Sequence, residues 1–467
     1  MTTASLTIQE SHYNKLREIL LRQDGAENAA YLLCGEAFIE ADPWSGKPHR
    51  KFISHAVVEI PEEGIVSRSP MHITWKTDSL VRSLKQAQTQ NLTVAITHSH
   101  SELAAFSEQD DANEPSLVEL AQHRNGEDTC LLSLILMPTG ELIGRLWVSQ
   151  QVYIPLTLIR VVGKSIRLHY EEREHGIPIP AFHRQALALG EALNQDLSVL
   201  RVGIVGCGGT GSAVAMLLPR LGIRHIALFD KDIVEETNLN RLHGAFTSDA
   251  IAKRPKVEAI ARSLEGFNIH VRTYQTWIND EICRDALKSC DIIFGCTDDH
   301  AGRLLLNRLA YYYATPIFDM GLALEVSHSN APTILCADGR VTVLLPEHTC
   351  LMCRGVINPV QARDENLRRT DLPEYERRKK EAYVLGEGNP SPAIVTFTTD
   401  VAIMAIEELL QRIQGFRGET GSVSQRVRKF HLMEDRKQRG EPNPNCPICS
   451  TTNCWGLGDV EPFLGVV

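Results

Sequence analysis

The stretch Leu200 to Ser212, LRVGIVGCGGTGS, constrains this chain more than any other. Val202, Ile204 and Val205 predict a short strand. Gly206, Gly208, Gly209 and Gly211 interrupt it, and Ser212 to Leu218 is compatible with a helix. Strand, glycine turn and helix together bring a backbone close to nucleotide phosphates. The glycines remove the Cβ atoms that would block the approach, and the helix N-terminus offers free N–H groups. A second predicted strand, His225 to Phe229, ends in Asp230. An acid about 20 residues past such glycines usually takes ribose hydroxyls. As far as Asp230, the pattern suits NAD.

The residues beyond Asp230 do not. Asn238, Arg241 and Lys256 are polar groups that an NAD site does not need. They suit a triphosphate, because charge developing at an α-phosphate calls for fixed cations and amide donors. A further apolar strand, Asp291 to Gly295, runs into CTDDHAGR. Asp298 then falls at a strand's C-terminal end, where open α/β sheets place ligands, and suits Mg²⁺.

These residues resemble the ThiF/MoeB/HesA family of ubiquitin-activating-enzyme-like adenylyltransferases, over about residues 180–467. The motifs are GxGGxGS at 206–212, Asp230-x-Asp232, Asn-Leu-Asn-Arg at 238–241, Lys256 after a proline, and Thr297-Asp298. The resemblance implies a Rossmann-like domain with a mainly parallel sheet. It implies ATP and Mg²⁺ as cofactors, ribose on Asp230, phosphates on Asn238, Arg241 and Lys256, and Mg²⁺ on Asp298. The segment FHRQALALGEALNQDL, 182–197, reads as helical up to Gly190 and matches the family's early Arg-Gln element. That implies Arg184 reaching the ATP site of a second copy, hence a homodimer.

Cys350 and Cys353 form one Cys-x-x-Cys hook, Cys446 and Cys449 another. Four thiolates make a closed tetrahedral structural zinc site. Between the hooks, Asp364 to Glu381 is highly charged and reads as a loop crossing the site. Val395 to Ile413 reads as a long apolar helix of the core or dimer face. Many such enzymes carry a catalytic cysteine in this region, yet residues 354–445 contain none. Cys454, Cys207 and Cys336 are candidates only by elimination.

The N-terminal third reads as mixed α and β. Leu6 to Gln23 suggests an amphipathic helix, Tyr31 to Cys34 a strand ending at Gly35, and Leu80 to Gln90 a helix. Leu92 to Thr97 is a strand entering THSHSELAAFSEQDD. His98 and His100 stand at i and i+2, which on a strand puts both rings on one face. Asp110 follows ten residues later, with Ser107 three before it. Two imidazoles and a carboxylate leave a fourth tetrahedral position for water, the arrangement of a hydrolytic zinc site. Ser107 is placed to donate to an oxyanion or orient that water. The string resembles the JAMM (JAB/MPN) metalloproteases over about residues 10–150. That family cleaves peptide or isopeptide bonds beside ubiquitin-like tails. The resemblance implies a glutamate general base on an early strand; Glu27 is the better match and Glu36 the competitor, as Asp111 is for Asp110. Here Ser101 replaces the usual proline.

Composition bounds the rest. The chain has 467 residues, 43% hydrophobic and 23% charged, with a net charge of -10. That balance argues against nucleic-acid binding. No apolar run approaches the roughly 20 residues of a membrane span, and MTTASLTIQESHYNK is no signal peptide. Twelve cysteines without such a signal suggest a reducing, cytoplasmic setting. The expected class is α/β: a JAMM-type zinc domain at 1–170, a linker at 171–181 and a ThiF-type domain at 182–467. Both halves would act on the C-terminal tail of a ubiquitin-like or sulfur-carrier protein, with a separate conjugating enzyme as a possible further partner. An NAD-dependent oxidoreductase fused to a metal module is the alternative of another class.

Overall fold

The computed structural model describes residues 2–101, 103–170, 180–327, 331–380 and 392–465. The chain divides into two compact units. The first comprises Met1–His175, Tyr312–Ala314 and Thr452–Val467; the second comprises the remainder.

Among its described residues, the first unit holds ten strands: β1 (Thr3–Gln9), β2 (Ala29–Ile39), β3 (His49–Glu59), β4 (Ile65–Ser69), β5 (His72–Trp75), β6 (Thr93–Ser99), β7 (Leu131–Leu136), β8 (Leu142–Ser149), β9 (Val152–Val162) and β10 (Ile166–His169). Eight form one sheet in the order β1-β3-β2-β6-β7-β8-β9-β10, and β1 also pairs with β9, so the sheet closes on itself. β4 and β5 make a separate hairpin. The strands alternate between two cores. Leu32, Ala95, Leu132, Leu134 and Leu146 pack with Tyr13, Leu16 and Leu20 of the helix Glu10–Leu20. Tyr31, Leu33, Val94, Ile96 and Trp147 pack with Leu80 and Leu84 of the helix Asp78–Gln90 and Val118 of the helix Glu108–Asn125.

Two expectations for this unit are corrected. Thr3–Gln9 is a strand, and the helix begins only at Glu10. Ala4, Leu6 and Ile8 recur with period 2, while Ser5 and Thr7 between them take hydrogen bonds from the buried Arg160 at 3.0 and 3.1 Å. β2 does not stop at Gly35 but runs on to Ile39. Its pairing with β6 ends at Cys34↔Thr93, which leaves a free edge beyond. The chain's own C-terminal segment occupies that edge. Gly458 bridges Glu36 in parallel. Asp459 N–H donates to Glu36 O at 2.7 Å, and Phe38 N–H to Asp459 Oδ2 at 2.9 Å.

The second unit carries β11 (Arg201–Val205), β12 (His225–Phe229), β13 (His270–Tyr274), β14 (Ile292–Gly295), β15 (Ile317–Val326), β16 (Ile334–Leu344), β17 (Gln425–Lys429) and β18 (Glu434–Lys437). The sheet order is β13-β12-β11-β14-β15-β16-β17-β18. β13 to β15 in that order are parallel, and β15 to β18 continue as an antiparallel meander. The chain winds outward from β11 to β13 and then returns to β14 on β11's other side. The switch point therefore lies where β11 and β14 end, which is where such sheets bind ligands.

The helix Val395–Gln414 buries Val401, Ala402, Met404, Ala405 and Leu409, so it belongs to the core. The charged stretch after Asp364 is helical rather than a crossing loop, over Pro359–Thr370 and Leu372–Lys380. Asn358 Oδ1 caps the first helix by accepting from Val360 and Gln361 N–H, with Pro359 behind it. Glu374 supports the second through ion pairs at 2.7 Å with Arg377 and Arg378. The expected linker lies largely at 171–179, outside the described residues, as do residues 381–391.

Candidate functional site

β6 carries His98, and His100 follows directly after its last residue, Ser99. His98 sits between Ala29 of β2 and Ile135 of β7, in the middle of the sheet. The two Nε2 atoms lie 3.0 Å apart. Asp110 reaches them from the first turn of the helix Glu108–Asn125, with Oδ1 3.3 Å from His98 Nε2 and Oδ2 3.5 Å from His100 Nε2. A tetrahedral ion with ligand bonds of ~2.0–2.1 Å spaces its ligand atoms by about 3.3 Å. The three donors fit that geometry.

Ser107 is the N-cap of the same helix. Its Oγ donates to Asp110 Oδ2 at 2.7 Å and accepts from Asp110 N–H at 3.2 Å. Burial works against the Asp110 charge, but bonds from His100, His98 and Ser107 outweigh it and hold the carboxyl well below its usual range. Asp111 faces Arg145 Nη1 instead, at 2.5 Å.

The triad opens into a cavity of about 220 Å³, with Pro70, Met71 and Trp75 of the hairpin region on its wall. Glu27 lines it too. Its backbone N–H donates to Ser69 O at 2.9 Å, and the residue is buried. Burial pushes its carboxyl up, while His100 and His98 pull it down by less. Glu36 is engaged elsewhere: Arg50 binds it with a fork of N–H groups at 2.5 and 2.8 Å. Glu114 also stands in the cavity wall. The sequence marks it by nothing beyond an i+4 position on the helix face of Asp110.

In the second unit β11 leads into Gly206, at φ 90°. A Cβ there would stand 2.7 Å from Cys296 C, and one on Gly211 only 1.9 Å from Gly206 O, so both positions demand glycine. A Cβ on Gly208 would meet nothing within 4 Å, so this glycine fronts open space. Gly209 opens the helix Gly209–Leu221, and its Cβ position lies 3.3 Å from Arg241 Cγ. Asp230 ties the loop down. Its Oδ2 accepts from Cys207 N–H at 2.6 Å and its Oδ1 from Asp232 N–H at 2.8 Å. Burial raises its pKa.

Lys256 Nζ donates to Asp232 Oδ2 at 3.0 Å. Burial disfavours its charge, but Asp230, Asp232 and Asp298 more than offset that and raise its pKa. Lys256 thus joins the two acids of β12's end to exposed Asp298 beyond β14. Arg241 is half-buried, and its Nη1 donates to Thr237 O and Asn240 Oδ1. Asn238 Oδ1 accepts from Glu235 N–H at 3.1 Å. Arg184 stands exposed on the helix His183–Leu189.

The four cysteines of the two hooks converge, all Sγ within 4.8 Å of one another. Cys350 lies 3.8 Å from Cys446, and Cys353 3.6 Å from Cys449. No pair is a disulfide. Zinc bonds of ~2.3 Å would space four thiolates by about 3.8 Å, so this set also fits an ion. Of the remaining thiols named from the sequence, Cys207 and Cys454 are buried and Cys336 is half-buried beside Asp338 and His431.

Fold and site together define a doubly wound α/β nucleotide-binding domain joined to a closed-sheet domain with a histidine–aspartate donor set. Residues 182–450 match the ThiF family, and the chain belongs to it. Residues 9–148 match the prokaryotic homologs of the JAB domain, so the chain is a fusion of the two. Three relatives are similar to parts of the chain. The adenylyltransferase and sulfurtransferase UBA4 of Meyerozyma guilliermondii is 31% identical over 28% of this chain and 33% of its own length. The sulfur carrier protein ThiS adenylyltransferase of Escherichia coli is 27% identical over 58% of this chain and 95% of its own. Ubiquitin-like modifier-activating enzyme 5 of Culex quinquefasciatus is 27% identical over 52% and 57%. The chain thus spans between a third and nearly all of the relatives it matches. Among the described residues, no helix is long and apolar enough to cross a membrane.

Proposed function

We propose that this chain activates the C-terminal carboxylate of a ubiquitin-like or sulfur-carrier protein with ATP, and hydrolyses peptide or isopeptide bonds at such tails. The observation that carries the first activity is the cluster of Lys256, Asp230, Asp232 and Asp298 beside the glycine loop at the β11/β14 switch point. Asp230 has two carboxylate lone pairs left for ribose hydroxyls after its two backbone bonds. Lys256, Arg241 and Asn238 hold the phosphates. The tail carboxylate attacks the α-phosphate, and the bond to pyrophosphate breaks. Lys256 offsets the charge that develops there. Mg²⁺ on Asp298 would neutralise the leaving pyrophosphate. Arg184 would act across a homodimer.

For hydrolysis, His98, His100 and Asp110 would hold zinc, which lowers the pKa of water and polarises a carbonyl. Glu27, whose carboxyl burial raises, takes the water's proton and returns it to the leaving amine. Ser107 orients Asp110 and has its hydroxyl at the same rim. The Cys350, Cys353, Cys446 and Cys449 zinc is structural. No thiol of this chain is assigned a thioester, so the adenylate would pass to a separate conjugating enzyme or a small nucleophile. Activation of a sulfur carrier for cysteine, thiamine or molybdopterin synthesis, with the first unit releasing the finished adduct, is the second reading; the likeness to the ThiS adenylyltransferase along 95% of its length supports the activation step.

ATP–pyrophosphate exchange with a panel of carriers ending in Gly-Gly tests the activation. Exchange that requires a carrier and disappears in Asp298→Ala supports the reading. NAD binding without ATP binding overturns it.

A further inference from the structure

Arg145, on β8, is 3% exposed at its side chain, unusual for a guanidinium. A buried charge persists only with several partners, because its desolvation is costly. Three of the partners of Arg145 lie in one short segment. Its Nη1 donates to Asp111 Oδ1 at 2.5 Å. Its Nε donates to Glu114 Oε2 at 2.8 Å. Its guanidinium lies 3.8 Å from the centre of the Phe106 ring. Phe106 immediately precedes Ser107, and Asp111 immediately follows Asp110.

The grip is itself anchored. Glu114 is buried and accepts from Ser133 Oγ and Trp147 Nε1, both at 2.5 Å. Trp147 and Tyr153 flank the guanidinium at 4.9 Å each. β7, β8 and β9 therefore fix Arg145, and Arg145 fixes residues 106, 111 and 114. Residues 103–107 have no regular secondary structure, so the cap geometry of Ser107 and Asp110 has no strand ladder to support it.

We propose that Arg145 is the positioning residue of the metal centre: it holds Phe106 and Asp111 so that Ser107 and Asp110 face His98 and His100. The role requires a planar fork that bonds two carboxylates and stacks on a ring, which lysine cannot supply. The inference rests on the metal reading of His98, His100 and Asp110.

The test uses the full chain stripped of metal and titrated with Zn²⁺ against a chelator, then with Co²⁺ followed by absorption. Arg145→Lys and Asp111→Ala should each weaken the non-thiolate site by about 10-fold and alter its cobalt bands. Asp111→Glu should restore them, and the thiolate site should be unchanged in all. Asp111 is exposed, so its variants fold even if Arg145→Lys does not. Wild-type affinity and cobalt bands in Asp111→Ala and Arg145→Lys, with only a lowered melting temperature, would overturn the clamp alone. A non-thiolate metal retained in His98→Ala would overturn the metal reading and the clamp with it.

Discussion

Asp230→Asn is the most informative single change in the second unit, because the two side chains have the same shape. Asp230 accepts the Cys207 and Asp232 N–H groups, one on each oxygen, at 2.6 and 2.8 Å. An amide keeps one acceptor and turns an NH₂ group toward the other donor. One hydrogen bond to a charged group is lost, about 1.5–3 kcal/mol, and a backbone N–H is left facing a donor. The expected loss of stability is about 2–4 kcal/mol. Nucleotide affinity should fall as well, because the amide offers fewer free lone pairs to ribose and holds the glycine loop less firmly through Cys207 N–H and Asp232 N–H. Thermal melting with and without ATP, together with titration calorimetry of ATP, reads both effects. The ATP-dependent rise in melting temperature should shrink in the variant. A variant with wild-type melting and wild-type ATP affinity would refute the argument that this carboxylate both holds the loop and faces the nucleotide.

Three further predictions rest on other parts of the chain. In Gly35→Ala the new Cβ would sit 2.1 Å from Leu457 O and 2.3 Å from Gly456 O, so the C-terminal segment should leave β2 and become sensitive to limited proteolysis; an intact, protected segment would contradict this. His12 is lowered to about 4, from an ordinary 6.5, chiefly by burial and secondarily by His55 and Lys15. Its neutral form is favoured in the folded state, so the unfolded chain binds the extra proton. Stability should therefore fall as pH drops from 6.5 toward 4, by at most about 3 kcal/mol, and His12→Gln should flatten that part of the profile. Cys350→Ser should release one equivalent of zinc and lower the melting temperature, while zinc held by His98, His100 and Asp110 stays; release of both or neither would contradict two independent sites.

The features legible in the sequence share a local cause. The glycines of 206–211 follow from sterics within one turn, and Gly211 against Gly206 O is an instance of it. His98 and His100 were readable because period 2 on a strand is local, and so were the two Cys-x-x-Cys hooks. What escaped depends on long-range pairing. Nothing near Thr3 announces that the strand Thr3–Gln9 pairs with both β3 and β9, and the apolar spacing there fits helix and strand alike. Charge alone could not distinguish a loop from helices at 359–380; the cap at Asn358 decides it. Arg145 lies 34 residues from Asp111, with no spacing to link them. The docking of Gly458 on Glu36 joins opposite ends of the chain.

The central claim is that both units act on one tail, and a carrier extended by a short peptide beyond its Gly-Gly terminus tests it most directly. The wild-type chain with ATP should remove the extension, seen by mass spectrometry, and then show pyrophosphate exchange. His98→Ala should leave the extended carrier intact and give no exchange with it, yet exchange normally with the mature carrier. Exchange by His98→Ala on the extended carrier, or an extension that the zinc-loaded wild type leaves uncut while it activates the mature form, would contradict the account.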